Sequence, residues 1–93
     1  MNTANLQLQG LIMAVACLAD TLVQKGILSH GDLSAALGEA ENRIENSDDR
    51  KLSDANRAAT MFPIRVLLLA NQESQSGRKL SFSEYAELVG KLT

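Results

Sequence analysis

The chain has 93 residues, a formal net charge of −2, and a composition that is 45% hydrophobic but only 3% aromatic. This length allows one domain, taken here as residues 1–93, and excludes two. Leucine and alanine supply most of the apolar residues, and because neither is β-branched the composition argues against an all-β fold. A charged fraction of 22% is typical of a folded globular chain and not of a disordered one.

The first predicted helix covers about residues 5–25, and Gly26 is placed to end it as the C′ residue. Apolar residues recur along it at spacings of three and four, as in a heptad repeat. Residues 11–19 are all apolar and cover every direction around the axis. We therefore expect its middle to be buried all round, either at the centre of the domain or in part against a second copy. The heptad stripe consists of Leu8, Leu11, Val15, Leu18 and Leu22, with the small residues Gly10, Ala14, Cys17 and Thr21 beside it.

The N-terminal segment also bears on where the protein resides. A single cysteine, Cys17, excludes an internal disulfide framework. The run Ala14–Cys17 loosely resembles a lipobox, which makes a secreted lipoprotein the alternative. No lysine or arginine precedes the apolar run, as a signal peptide requires. No apolar stretch approaches the ~20 residues of a membrane span. We therefore expect a cytoplasmic protein without a membrane span.

The second predicted helix covers about residues 30–46. Ser29 is its N-cap, with its hydroxyl accepting from the backbone N–H of Asp32. Leu28 and Leu33 have the spacing of a hydrophobic staple. Most remaining positions are polar, so this should be a surface helix with one buried face. Its apolar stripe consists of Leu33, Ala36, Leu37, Ala40 and Ile44.

A polar connection at about 46–51 leads to the third helical region, where Ser53 is a good cap. Pro63 interrupts this region, because proline removes a backbone donor and clashes with the preceding turn. We expect two helices, about 53–61 and 63–73. A single kinked helix is the alternative.

The last predicted helix covers about residues 82–92 and begins with a capping box formed by Ser81 and Glu84. Tyr85 and Leu88 belong to its apolar stripe. The predicted fold is therefore all-α, a small bundle of four helices, or of five if the third region breaks at Pro63.

Residues that could carry out catalysis are few. His30 is the only histidine and Cys17 the only cysteine, and most of a helix separates them. We expect His30 to be an exposed turn residue and Cys17 a small buried hydrophobe, whose thiol is inert in apolar surroundings. One histidine and one cysteine cannot form a zinc site, and the glycines form no phosphate-binding loop. The sequence predicts no catalytic, cofactor or metal site, and no enzyme.

Charge is unevenly distributed along the chain. Residues 20–49 carry seven acidic and two basic residues, net −5, whereas residues 50–65 carry four basic residues and one acidic residue, net +3. A typical DNA-binding protein makes about 6–10 phosphate contacts. A patch of +3 on an acidic chain is a small footprint, so we do not expect nucleic-acid binding.

The third region contains the second nearly all-apolar segment, 61–70, interrupted only by Arg65. Two such segments in so small a domain predict a homodimer formed through apolar helix faces. Within this region we predict a partner-binding site made of Arg57, Met61, Phe62 and Arg65, an apolar centre between two arginines. The alternative is that both arginines pair with carboxylates of neighbouring helices.

The sequence therefore predicts a small non-catalytic helical interaction protein, such as a regulatory subunit, an adaptor or a secretion-type chaperone. It is expected to bind a second copy of itself, another protein or both, without a cofactor. A small DNA-associated transcriptional regulator is the alternative.

Overall fold

The structure, a computed structural model, describes residues 3–46 and 54–92. The predicted connection beyond Asn46 and the predicted cap Ser53 lie outside these residues. The described part of the chain is helical and contains no strand, which confirms the predicted all-α class. Its four helices are α1 (Thr3–Gln24), α2 (His30–Glu45), α3 (Asp54–Gln75) and α4 (Phe82–Leu92).

Helices α2 and α4 both begin with a reciprocal capping box. The N–H of Asp32 donates to Ser29 Oγ at 2.9 Å, and the N–H of Ser29 donates to Asp32 Oδ2 at 2.9 Å. Glu84 and Ser81 make the same exchange at 3.2 and 2.9 Å. The hydrogen bonds from Ser81 lower the pKa of the Glu84 carboxyl. Both predicted helix starts are confirmed.

Helix α1 ends as predicted at Gly26, whose φ of 74° places it in the left-handed region. The N–H of Gly26 donates to the Val23 carbonyl and that of Ile27 to the Leu22 carbonyl, both at 3.0 Å. This pair of bonds is the Schellman motif, which satisfies carbonyls that the helix end leaves open. Gly77, with φ of 79°, ends α3 in the same way.

Helix α3 continues through Pro63 without interruption. The predicted division into helices at 53–61 and 63–73 is therefore wrong, and the single-helix alternative is the one found. The reason lies in the residues around the proline. The carbonyl that loses its donor belongs to Ala59, which is an exposed residue open to water.

Burial on both sides of Pro63 offsets the cost of a proline inside a helix. Met61 and Val66 are each only 1% exposed. Burying one such side chain contributes about 1.5–3 kcal/mol, whereas an interior proline costs about 3 kcal/mol. Two buried neighbours are therefore enough to keep the helix continuous.

Helix α3 is the central helix, because it packs against each of the other three. The main core cluster lies between α1, α3 and α4, and α2 contributes no buried residue to it. Helix α2 instead covers another side of α3 with half-buried residues. The core cluster consists of Ile12, Val66, Leu69, Tyr85 and Val89.

Residues 11–19 are not buried all round within one copy of the chain, so the first alternative, that α1 is the central helix of the domain, is wrong, whereas burial against a second copy stays a prediction. Only Ile12 is buried in α1, while Leu11 and Leu18 are exposed. The reason is that α1 packs mainly on α3, and a single neighbour covers only one face of a helix. In the second apolar segment, 61–70, every residue is buried or half-buried, because α3 has neighbours on several sides.

Candidate binding surfaces

A polar cluster joins α2 to α3 at the start of α2. Its centre is Asn71, which is buried. The Asn71 Nδ2 group donates to the backbone carbonyl of His30 at 2.9 Å and to Ser34 Oγ at 3.1 Å. Asn71 Oδ1 lies 2.8 Å from Nδ1 of the His30 ring. The whole amide is thereby hydrogen-bonded, which removes most of the cost of burying it.

These contacts indicate which nitrogen carries the proton in the neutral His30 ring. A backbone carbonyl can only accept a hydrogen bond, so the atom of Asn71 that faces it must be the amide nitrogen. Oδ1 then faces the ring and needs a donor, which means that Nδ1 of His30 carries the proton. Neutral His30 is therefore the Nδ1–H tautomer, and its Nε2 atom keeps the basic lone pair.

Asp20 forms a second polar cluster near the end of α1. It accepts from Ser74 Oγ at 2.6 Å and from Gln24 Nε2 at 3.3 Å, and it pairs with Lys79 Nζ at 3.3 Å. The hydrogen bond from Ser74, with help from Lys79, lowers the pKa of the Asp20 carboxyl. The cluster ties α1 to α3 and to the loop before α4.

Between these clusters and the middle of α1 lies an apolar depression, which we call the α1–α2 groove. Helices α1 and α2 both pack on α3, but no comparable contact joins them to each other. The space between them has a volume of about 200 Å³. Asp20, His30 and Lys79 lie at its polar end. Its apolar surface includes Met13, Ala16, Leu33, Leu37, Leu67 and Ala70.

The outward face of α1 is the second candidate surface, and we call it the α1 seam. It consists of four members of the heptad stripe, Leu8, Leu11, Val15 and Leu18, which are 39%, 62%, 38% and 65% exposed. No charged residue occurs between Thr3 and Ala19. The seam is therefore an uncharged apolar strip that faces away from the chain's own core.

The α1 seam and the α1–α2 groove share Val15, which belongs to the heptad stripe and also lines the groove. Their other α1 residues point in different directions, since residues two positions apart on a helix point about 160° apart. Leu11 and Met13 are related in this way, and so are Leu18 and Asp20. A partner that covers the seam therefore borders the groove at Val15.

Helix α1 is also long and apolar enough to cross a membrane, judged by length and composition alone, and among the described residues it is the one helix with these properties. The core helix of a soluble protein and an N-terminal signal sequence share them. The observation is therefore weak support for a membrane span.

The four predicted partner-binding residues have different environments. Arg57 is exposed, whereas Met61 is buried in the interior. Phe62 is half-buried and makes an edge-to-face contact with Phe82, with ring centroids 6.4 Å apart. Arg65 Nε lies 3.6 Å from Glu41 Oε2 on α2, as the alternative interpretation of the arginines expects. A partner-binding role for these residues stays a prediction.

Two expectations about reactive residues are wrong. Cys17 is exposed, because it lies on the part of α1 that α3 does not cover. His30 is half-buried, because Asn71 draws it against α3. The sequence did not predict the contact between His30 and Asn71, which are 41 positions apart. The available signal is small: Asn71 directly follows the apolar segment 61–70 and begins a polar stretch, so its spacing does not indicate a partner on α2.

No group of three or more histidine, cysteine, aspartate or glutamate side chains in residues 3–46 and 54–92 is placed to hold a metal ion. Two of the basic residues of segment 50–65, Arg50 and Lys51, lie outside the described part of the chain. No protein-family model, curated protein or solved structure matches the sequence. Function is therefore inferred from the two surfaces themselves.

Proposed function

We propose that this chain is a small, non-catalytic helical interaction protein that acts as a homodimer in the cytoplasm. In this proposal residues 1–93 form one domain, a small helical bundle, and the α1 seam is the dimer contact. The observation that carries the proposal is the exposure of a heptad stripe along α1.

The sequence of the seam suits pairing with an identical helix. Leu8 and Val15 occupy heptad position a, while Leu11 and Leu18 occupy position d. Of the two a residues Val15 is β-branched, and a β-branched residue at a with leucine at d favours two-stranded pairing. Because the strip is uncharged, no like charges oppose each other when two copies meet.

The size of the seam supports a weak, reversible dimer. At 1.5 Å per residue the seam from Leu8 to Leu18 is ~17 Å long, so a strip ~10 Å wide covers about 170 Å² per copy. Specific interfaces bury at least about 600 Å² per partner. Covering a half-exposed leucine or valine contributes about 1 kcal/mol, so eight such side chains give about 8 kcal/mol. Association costs at least about 4 kcal/mol, so at most about 4 kcal/mol remains and the Kd is about a millimolar or weaker.

Sedimentation equilibrium from about 0.1 to 3 mM, chosen to bracket a Kd near a millimolar, tests the proposal. The full chain should move from a mass of 10.0 kDa towards twice that mass as its concentration rises. The double variant Leu11→Glu/Leu18→Glu should remain monomeric throughout, because dimerisation would bury four carboxylates.

Leu6→Glu provides the matched control. Leu6 is 50% exposed on the same helix but lies on a different side from the α1 seam. This variant should dimerise like the parent chain. A parent chain that stays at 10.0 kDa, or a double variant that dimerises equally well, would contradict the proposal. Monomers that co-sediment with phospholipid vesicles would show that a bilayer covers the seam, and would also overturn the dimer.

A DNA-associated regulator is the second candidate, and it has less support. Of the two described arginines in segment 50–65, Arg65 already pairs with Glu41. An electrophoretic mobility shift with generic DNA at low salt separates the candidates, because non-specific binding depends on phosphate contacts. Retardation of the DNA would favour the regulator.

A further inference from the structure

The α1–α2 groove has the construction of a small-molecule site. Its floor is the α3 surface around Leu67 and Ala70, and its walls come from α1 and α2. The walls stand apart because each packs mainly on α3. Ligand sites in proteins are typically apolar depressions of this kind with a few polar groups at one place.

The volume of the groove limits the size of its occupant. A cavity of about 150 Å³ accommodates benzene. The 200 Å³ of the groove therefore suit an apolar body of about six to eight carbon atoms. The groove is too small for most drug-sized ligands, which occupy about 300–1,000 Å³.

Cationic groups border the polar end of the groove. Lys79 Nζ pairs with Asp20, whose oxygens also accept from Ser74 and Gln24. Arg78 also lines the groove, and its Nε atom pairs with Glu73 at 2.6 Å. A lysine has three N–H donors and an arginine five, so each cation is held in place by one carboxylate and keeps further donors for a ligand.

The groove offers hydrogen-bond donors, and few free acceptors, to an anionic ligand. Among the described residues Asp20 is the one carboxylate that lines it, and that carboxylate already accepts three partners. Lys79 and Arg78 both line the groove and are both exposed. Their charges are balanced by Asp20 and Glu73, so the preference for an anion rests on their unused N–H donors.

We propose that the α1–α2 groove binds an amphipathic monoanion, a molecule with a short aliphatic or aromatic body and a carboxylate head. The body lies against the apolar surface of α1, α2 and α3, and the head lies beside Lys79 and Arg78. This site shares Val15 with the α1 seam but is formed within one copy of the chain, so it does not require the homodimer.

Calorimetric titration with octanoate tests the proposal, and 1-octanol is the uncharged comparison. Octanoate should bind in the sub-millimolar range and about fivefold more tightly than 1-octanol, because exposed ion pairs contribute only modestly. Butanoate should bind much more weakly, since it loses about four buried methylene groups. Equal binding of octanoate and 1-octanol would overturn the assignment of the head group.

Two matched pairs of variants locate the site. Ala36→Trp fills the groove from an exposed position and should abolish octanoate binding, whereas Ala35→Trp, at the exposed neighbour that does not line it, should not. Lys79→Gln should weaken binding about threefold, whereas Lys91→Gln on α4 should leave it unchanged. Equal effects within either pair would contradict the proposal.

Cys17 supplies an independent measurement, since it is the only cysteine, is exposed and lines the groove. Bound octanoate should slow its reaction with a maleimide in the parent chain but not in Ala36→Trp. The monomeric variant Leu11→Glu/Leu18→Glu should still bind octanoate, so failure of the dimer and failure of the ligand site are distinguishable. No protection of Cys17 and no heat of binding up to about 10 mM octanoate would sink the proposal.

Discussion

Asn71 on α3 holds His30 on α2 at two points, through a bond of 2.9 Å from Nδ2 to the His30 carbonyl and a contact of 2.8 Å between Oδ1 and ring Nδ1. This pair closes the start of α2 onto the central helix. It is also the connection between α2 and α3 that lies next to the α1–α2 groove.

Asn71→Ala should lower the free energy of unfolding by about 2 kcal/mol. The substitution leaves the half-buried His30 carbonyl and ring without their partner, and an unsatisfied polar group costs about 1–3 kcal/mol. Urea denaturation followed by circular dichroism measures the change. Gln72→Ala, at the exposed neighbouring position, is the control and should change stability by less than about 0.5 kcal/mol. Equal effects of the two substitutions would show that the amide contributes nothing specific.

The tautomer of His30 is a separate prediction. Neutral His30 should carry its proton on Nδ1, because Asn71 presents an acceptor to that atom. The chain has a single histidine, so its two ring nitrogens can be assigned without ambiguity in a ¹⁵N NMR spectrum recorded above neutral pH. A predominant Nε2–H form would contradict the geometry. In Asn71→Ala the Nδ1–H preference should be lost.

Local features of this fold could be predicted from the sequence, because their causes lie within a few residues. The N-cap at Ser29, the capping box at Ser81 and the helix end at Gly26 are confirmed for this reason. Each depends on hydrogen bonds between residues at most five positions apart.

Features that depend on which helices meet could not be predicted. The heptad stripe of α1 identifies an apolar face, but periodicity does not say what covers it. The structure turns Leu11 and Leu18 outward and gives the central position to α3. The polar end of the groove joins residues as distant as Asp20 and Ser74, which no spacing in the sequence indicates.

Pro63→Ala should raise the free energy of unfolding by about 1–3 kcal/mol. Alanine restores the N–H that can donate to the Ala59 carbonyl and removes the clash of the proline ring, while α3 stays continuous. Thermal and urea denaturation measure the gain. Gly38→Ala gives the scale for an ordinary gain inside a helix, about 0.5–1 kcal/mol, since nothing lies within 4 Å of the added Cβ. A loss of stability in Pro63→Ala would show that packing of the ring outweighs the missing hydrogen bond.

Ser74→Ala should raise the pKa of Asp20, because the hydroxyl of Ser74 is the main cause of its lowered value. A carboxyl whose pKa is lower in the folded state is less protonated there than in the unfolded chain. The unfolded state then binds more protons, so stability rises with pH across this range. The stabilisation is present at neutral pH and is lost as the pH falls below about 4 towards the pKa of folded Asp20.

The parent chain should therefore lose more stability between neutral pH and about pH 2 than Ser74→Ala does, because the variant lacks most of the stabilisation that acid removes. Urea denaturation at several pH values measures the difference, and a ¹³C NMR titration of the Asp20 carboxyl reports its pKa directly. The other carboxylates titrate in the same range, so the comparison needs a variant that keeps the bond to Asp20. Ser76→Ala is that control, since Ser76 is exposed in the following turn and should retain the parent's pH profile. If Ser74→Ala and Ser76→Ala lose stability in the same way as the pH falls, the hydrogen bond between Ser74 and Asp20 does not persist in solution. Helices α1 and α3 would then not be joined by this bond at the polar end of the groove.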